Sequence, residues 1–131
     1  MPNVIITEPE VEPLSLVEAK AHLVVEHDED DSLIASYVKA ARRACEMMQW
    51  RSYITQTREE RLDRFGHGVC IGLPYGPVQS ITSIKYTDTA GVEQTLSADN
   101  YSLDSATGRV VLGYGLSWPI TREIPNAVKI R

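Results

Sequence analysis

An acidic run beside a histidine, "HDEDD" at residues 27–31, is the stretch whose residue types most resemble a metal site. An EF-hand calcium loop needs alternating oxygen ligands, a glycine at its sixth position and a glutamate at its twelfth. Counted from Asp28, these positions hold Leu33 and Lys39, so the run does not match a calcium loop. Carboxylates also favour the positive end of a helix dipole, and we therefore expect Asp28 to be the N-cap of a helix.

The other groups that can bind a metal or act as nucleophiles form no known motif. Only His67 and Cys70, in "HGVC", lie close in sequence, and no second pair stands at zinc-ligand spacing. There is no G-x-S-x-G motif, and neither "GLPYGP" nor "LGYGLSWP" carries the lysine of a phosphate loop. The sequence therefore predicts no metal, no cofactor and no catalytic site. The metal candidates excluded in this way are His22, His27, His67, Cys45 and Cys70.

Hydrophobic periodicity predicts two helices at the start of the chain. Ser15 and Glu18 have capping-box spacing, and a helix is expected over residues 16–24. A second helix is expected over residues 29–49, with Cys45 as a small core residue on its apolar face. The apolar positions that define this face are Leu33, Ile34, Tyr37, Val38, Ala41, Ala44, Cys45 and Met48.

After Trp50 the pattern changes to strand alternation, with hairpins predicted in Val78–Leu96 and in residues 101–112. The polar strand "ITQTREERL" at residues 54–62 is expected to be solvated or paired with another molecule. The fold class is α+β, two N-terminal helices followed by a mainly antiparallel sheet. One domain spans 1–131, with an extended lead-in at 1–13, a helical hairpin at 14–50 and a β-rich part at 52–131.

Composition argues against several classes of protein. The net charge of −5 disfavours a free-standing nucleic-acid binder, whose phosphate contacts need surplus lysine and arginine. No signal peptide and no membrane-spanning run is recognisable. The two cysteines are expected to be free thiols in a reducing cytosol.

Arginines cluster in the middle of the chain, interleaved with acids. Two interpretations remain open: solvated salt bridges, or an interface with an acidic neighbour. Of the two tryptophans, Trp118 is the better interface candidate, whereas Trp50 is expected to cover the core. The candidate interface residues are Arg42, Arg43, Arg58, Arg61, Tyr114 and Trp118.

Four segments together resemble the small head–tail connector (adaptor) proteins of long-tailed bacteriophages and prophages. They are "PLSLVEAKAHLVVEHDEDDSLIASYVKAARRACE", "ITQT" followed by "RLDRF", "IGLPYGPVQSITSIKYTDTAGVEQTL" and "YSLDSATGRVVLGYGLSWP". The resemblance covers about residues 13–131 and rests on the order and spacing of these segments.

The resemblance implies a structural virion protein with no enzymatic activity. Copies are expected to form a ring, commonly twelve-fold, under the portal protein, where stopper and tail-completion proteins dock and DNA passes through without specific binding. The implied location is the head–tail junction of the virion, and the bacterial host cytoplasm during assembly. Family members usually continue past "VKIR" into an apolar helical segment that is absent here. The alternative is a small non-enzymatic binding or regulatory module of prophage origin.

Overall fold

The computed structural model describes residues 2–131, which fold into two α-helices, a short 3-10 helix at Ala98–Asn100 and eight strands. The helices are α1 (Leu16–Leu23) and α2 (Asp31–Gln49). The strands are β1 (Asn3–Thr7), β2 (Thr57–Leu62), β3 (Cys70–Gly72), β4 (Ile84–Thr87), β5 (Glu93–Thr95), β6 (Tyr101–Asp104), β7 (Arg109–Leu112) and β8 (Val128–Ile130).

The strands form two antiparallel sheets. The larger has the order β1-β2-β8-β4-β5 and the smaller has the order β3-β7-β6. Both predicted hairpins are present, as β4–β5 and β6–β7. The α+β prediction is confirmed, and the predicted helices agree with α1 and α2 to within two residues.

The apolar core is built by the sheets alone. Ile84, Val110 and Val128 are completely buried and come from both sheets. Within residues 2–131, the main cluster of buried apolar side chains includes none from α1 or α2. The helical hairpin is therefore attached to the sheets by interactions other than this core. The buried cluster comprises Leu62, Phe65, Ile84, Leu96, Val110, Val128 and Ile130.

The polar strand is not open to a neighbouring molecule, which corrects the sequence-based expectation. β2 lies between β1 and β8, and its Glu59 and Glu60 are buried. The lead-in supplies β1, so the sheet edges are β1 and β5. Each edge is blunted, because β1 has an irregularity after Ile5 and the three-residue β5 carries Glu93, which pairs with two lysines.

The acidic run holds the two helices together. The prediction that Asp28 caps α2 is wrong, because the N-cap is Asp30, which makes no side-chain capping bond. Instead, Lys20 of α1 donates to Asp28 Oδ1 and lies equally close to Asp31 Oδ1, both at 2.7 Å. The hydrogen bonds to these two carboxylates raise the pKa of Lys20. Asp28 stands too early to cap α2, and it faces a cation on α1 instead.

The capping box of α1 is confirmed and gives a test of these local assignments. The amide of Glu18 donates to Ser15 Oγ at 3.2 Å, and the amide of Ser15 donates to Glu18 Oε2 at 2.9 Å. We expect Ser15→Ala to lower the free energy of unfolding by about 1 kcal/mol, because a helix donor loses its acceptor. Asp28→Ala removes only an exposed ion pair and should cost less. Urea denaturation measures both, and a larger loss for Asp28→Ala would contradict the assignment.

Candidate interaction surfaces

Helix α2 turns charged side chains inward and apolar side chains outward. Arg42 is 3% exposed and Glu46 is 1% exposed, whereas Tyr37 is 64% exposed and Met48 is 81% exposed. Such an arrangement reverses the usual amphipathic helix, whose apolar stripe faces the core. The helix therefore presents apolar surface to whatever surrounds the molecule.

The two faces follow from helical geometry. Arg42 and Ala44 are two residues apart and so lie about 160° from each other around the axis. Only Ile34 and Val38, at one margin of the predicted apolar stripe, are buried or half-buried. Cys45 is exposed, so the prediction that it is a core residue is wrong. We call the exposed apolar positions the outer face of α2: Leu33, Tyr37, Ala40, Ala41, Ala44, Met47 and Met48.

The inner side of α2 packs on a charged cluster that we call the charged seam: Glu8, Glu12, Arg42, Arg43, Glu46 and Arg58. Arg42 is at its centre. Its Nε donates to Glu12 Oε2 at 2.6 Å, its Nη1 to Glu46 Oε2 at 2.9 Å and its Nη2 to Glu8 Oε2 at 3.1 Å. The hydrogen bond to Glu12 raises the pKa of Arg42 further, and the bond from Arg43 lowers the pKa of Glu8.

Glu46 joins the helix to the sheet. Its Oε1 accepts bonds from the backbone amide of Tyr53 and from Gln56 Nε2, both at 2.8 Å. Its Oε2 accepts bonds from Arg42 and, at 3.2 Å, from Arg58 Nη2. A buried carboxylate is tolerable only when charges and donors surround it, and these four donors meet that need. The seam therefore fixes which face of α2 points inward.

The six residues predicted for an interface are not one surface. Arg42 is buried, and Arg58 is mostly buried with its guanidinium 4.1 Å from the Tyr75 ring centroid. Arg61 pairs with buried Glu59. Arg43 is half-exposed at the rim of the seam, on the α2 side.

The aromatic candidates differ from expectation. Trp50 is 64% exposed rather than covering the core. Trp118 is half-buried: its ring stacks on Phe65 with centroids 4.9 Å apart, and its Nε1 donates to the Gly68 carbonyl at 2.7 Å. Tyr114 is fully exposed, with a relative exposure of 106%. The interface role of all six residues remains a prediction.

Tyr114 projects from a fixed loop, residues 113–118. A side chain on Gly113 would put its Cβ 2.9 Å from Leu116 Cδ1 and 3.3 Å from the Asn100 carbonyl, so a larger residue is excluded there. The amide of Leu116 donates to the Gly113 carbonyl, and Trp118 anchors the far end of the loop. The tyrosine is thus displayed by a loop whose two ends are held.

A cleft of about 420 Å³ lies between residues 52–58 and residues 73–82, with Ile130 and Arg131 on one side. Tyr53, Tyr75 and several prolines give it partly apolar walls. Two buried atoms of lining residues have no hydrogen-bond partner: the acceptor Gln56 Oε1 and the donor Arg58 Nε. Each orphan costs about 1–3 kcal/mol unless a bound group satisfies it.

Among residues 2–131, no group of three or more histidine, cysteine or acidic side chains is placed to hold a metal ion. None of the helices in this part of the chain is long and apolar enough to cross a membrane. Both cysteines are free and exposed. The chemical groups of the molecule are thus engaged mainly in ion pairs and hydrogen bonds within the chain.

Comparison with known proteins gives solved structures alone. No family model matches the sequence, and no curated protein matches it. The fold is similar to a chain in the neck of an empty gene transfer agent (GTA) particle computed with C6 symmetry, with a TM-score of 0.77 and 27% identity. The match covers 99% of this chain and 69% of that chain.

Two further structures agree. A chain in the virion of a native GTA particle has a TM-score of 0.75 and 26% identity, over 99% of this chain and 69% of that chain. A chain in the neck of a native GTA particle computed with C12 symmetry has a TM-score of 0.75 and 27% identity, over 99% and 67%. These similarities support a structural protein of a phage-like head–tail neck, in agreement with the resemblance seen in the sequence.

The charged seam and the outward turn of α2 were missed by sequence reasoning. A signal existed: Arg42 and Glu46 are an i, i+4 ion pair on the side opposite Ala44. Read with the acids at positions 8 and 12, the pair indicates a helix face that needs charged partners. Periodicity identifies an apolar face and does not say whether that face points inward.

Removal of the seam's central cation tests its structural role. We expect Arg42→Ala to destabilise the fold by about 3–5 kcal/mol, because Glu46 would stay buried with one cation fewer. The matched control is Arg43→Ala, one residue along the same helix and half-exposed, which should cost about 0–1 kcal/mol. Thermal or urea unfolding gives both values. Equal, small losses would mean that the seam does not position α2.

Proposed function

We propose that this protein is a head–tail connector, or adaptor, whose copies form a ring under the portal, extend the DNA channel and dock stopper and tail-completion proteins. The observation that carries the proposal is the match of 99% of the chain to chains of GTA necks, two of them computed with C6 and C12 symmetry. A ring of twelve copies is the symmetry we favour. The protein acts by shape and self-association, without catalysis or cofactor.

The outer face of α2 supports this role. A monomer that stays alone in water rarely displays a contiguous apolar strip several helical turns long. Small residues at its centre, Ala40, Ala41 and Ala44, with larger apolar residues beside them, allow close approach of another polypeptide. We propose that this face is covered by protein in the assembled neck.

The charge balance suits a DNA channel. A net charge of −5 gives little attraction to phosphates, and most of the central arginines are already paired with carboxylates. DNA then passes through without being held, because tight non-specific binding needs unpaired basic residues. The protein would act at the head–tail junction of the virion, after assembly in the bacterial host cytoplasm.

Assembly is tested by measuring the mass of the purified chain across a range of concentrations, alone and with the cognate portal. We expect a large symmetric species, formed alone or on the portal. The variant Tyr37→Glu/Met48→Glu should remain folded and lose this species, because both side chains lie on the outer face of α2. Gln94→Glu, exposed on β5, is the matched control and should assemble normally.

A wild-type chain that stays monomeric at every concentration, with and without portal, would overturn the connector proposal and favour a small binding module. Normal assembly of the Tyr37→Glu/Met48→Glu variant would instead show that α2 lies outside the contacts while the ring itself stands.

A further inference from the structure

A ring requires two different surfaces on each copy, one complementary to the other, since contacts around a rotation axis are head-to-tail. Two features of this chain have complementary shapes. Tyr114 is an exposed aromatic side chain on a fixed loop, and the cleft between residues 52–58 and 73–82 is an open cavity with aromatic and proline walls. Interface hot spots are commonly aromatic anchors that fill such pockets.

The hydrogen-bonding needs of the two features also match. The cleft has one orphan acceptor, Gln56 Oε1, and one orphan donor, Arg58 Nε. A phenolic hydroxyl donates one hydrogen bond and accepts another, so a single tyrosine offers both missing partners. A phenylalanine in the same place would satisfy neither atom.

Tyr114 cannot fill the cleft of its own chain. Leu73, in the cleft wall, follows β3 at the end that pairs with Arg109, where Gly72 is opposite Arg109. Tyr114 follows the other end of β7, beyond Leu112. The two features are therefore separated by the length of β7, roughly 13 Å of strand. Opposite placement of this kind is what a head-to-tail contact between copies needs.

We propose that Tyr114 of one copy inserts into the cleft of the next copy and donates to Gln56 while accepting from Arg58. The inference rests on the proposed ring and specifies one of its contacts. The loop ends held by Gly113 and Trp118 keep Tyr114 extended before contact, so little conformational entropy is lost on association. The contact is independent of the outer face of α2.

Paired cysteines test the contact directly. In a Cys45→Ser/Cys70→Ser background, Tyr114→Cys is combined with Gln79→Cys, an exposed residue of the cleft wall. Mild oxidation should give a ladder of covalently linked copies on a non-reducing gel. The control combines Tyr114→Cys with Gln94→Cys on β5, which does not line the cleft and should give no ladder. A ladder from the control alone, from both pairs equally or from neither would overturn the contact.

Association strength gives a second readout. Tyr114→Phe keeps the ring and removes the hydroxyl, so each contact should weaken about tenfold, and Tyr114→Ala should weaken it further. Neither variant should change the melting temperature of the monomer, since the side chain is fully exposed. Wild-type strength in Tyr114→Ala, with the ring intact, would overturn this contact and leave the connector proposal standing. Absence of any wild-type assembly would overturn both.

Discussion

The buried ion pair between Arg42 and Glu46 is the constraint on which the arrangement of this molecule depends. Both charges are almost completely removed from water, and burial is tolerable only because Glu8, Glu12, Arg58 and two further donors surround them. These partners come from the lead-in and from the start of β2. The pair therefore sets how the helical hairpin sits on the sheets, and it leaves the apolar side of α2 facing outward.

This division of labour separates folding from assembly. The sheets supply an apolar core of their own, with Ile84, Val110 and Val128 fully buried. The helices contribute little to that core, so their apolar side chains are left for contact with other molecules. A chain that needs partners on several sides benefits from this arrangement, because the contact surfaces can be large without being required for the fold of the subunit.

Local signals in the sequence predicted much of the fold. The capping box at Ser15, the helical periods and the turns of both hairpins are short-range patterns, and the structure confirms them. The wrong predictions concern long-range choices. Asp28 found a cation on another helix, Glu59 and Glu60 were buried in a strand that looked solvated, and Trp50 and Cys45 were exposed. Each depends on a partner distant in sequence, which composition and period do not encode.

The central claim is that the outer face of α2 is exposed in the subunit and covered in the assembled neck. Hydroxyl-radical footprinting with mass spectrometry measures this most directly, since Met47 and Met48 oxidise readily when exposed. We predict fast oxidation of both methionines in the monomer and strong protection in the assembled particle, with Met48 as the most informative reporter. Equal oxidation of Met47 and Met48 in monomer and assembly would contradict the account.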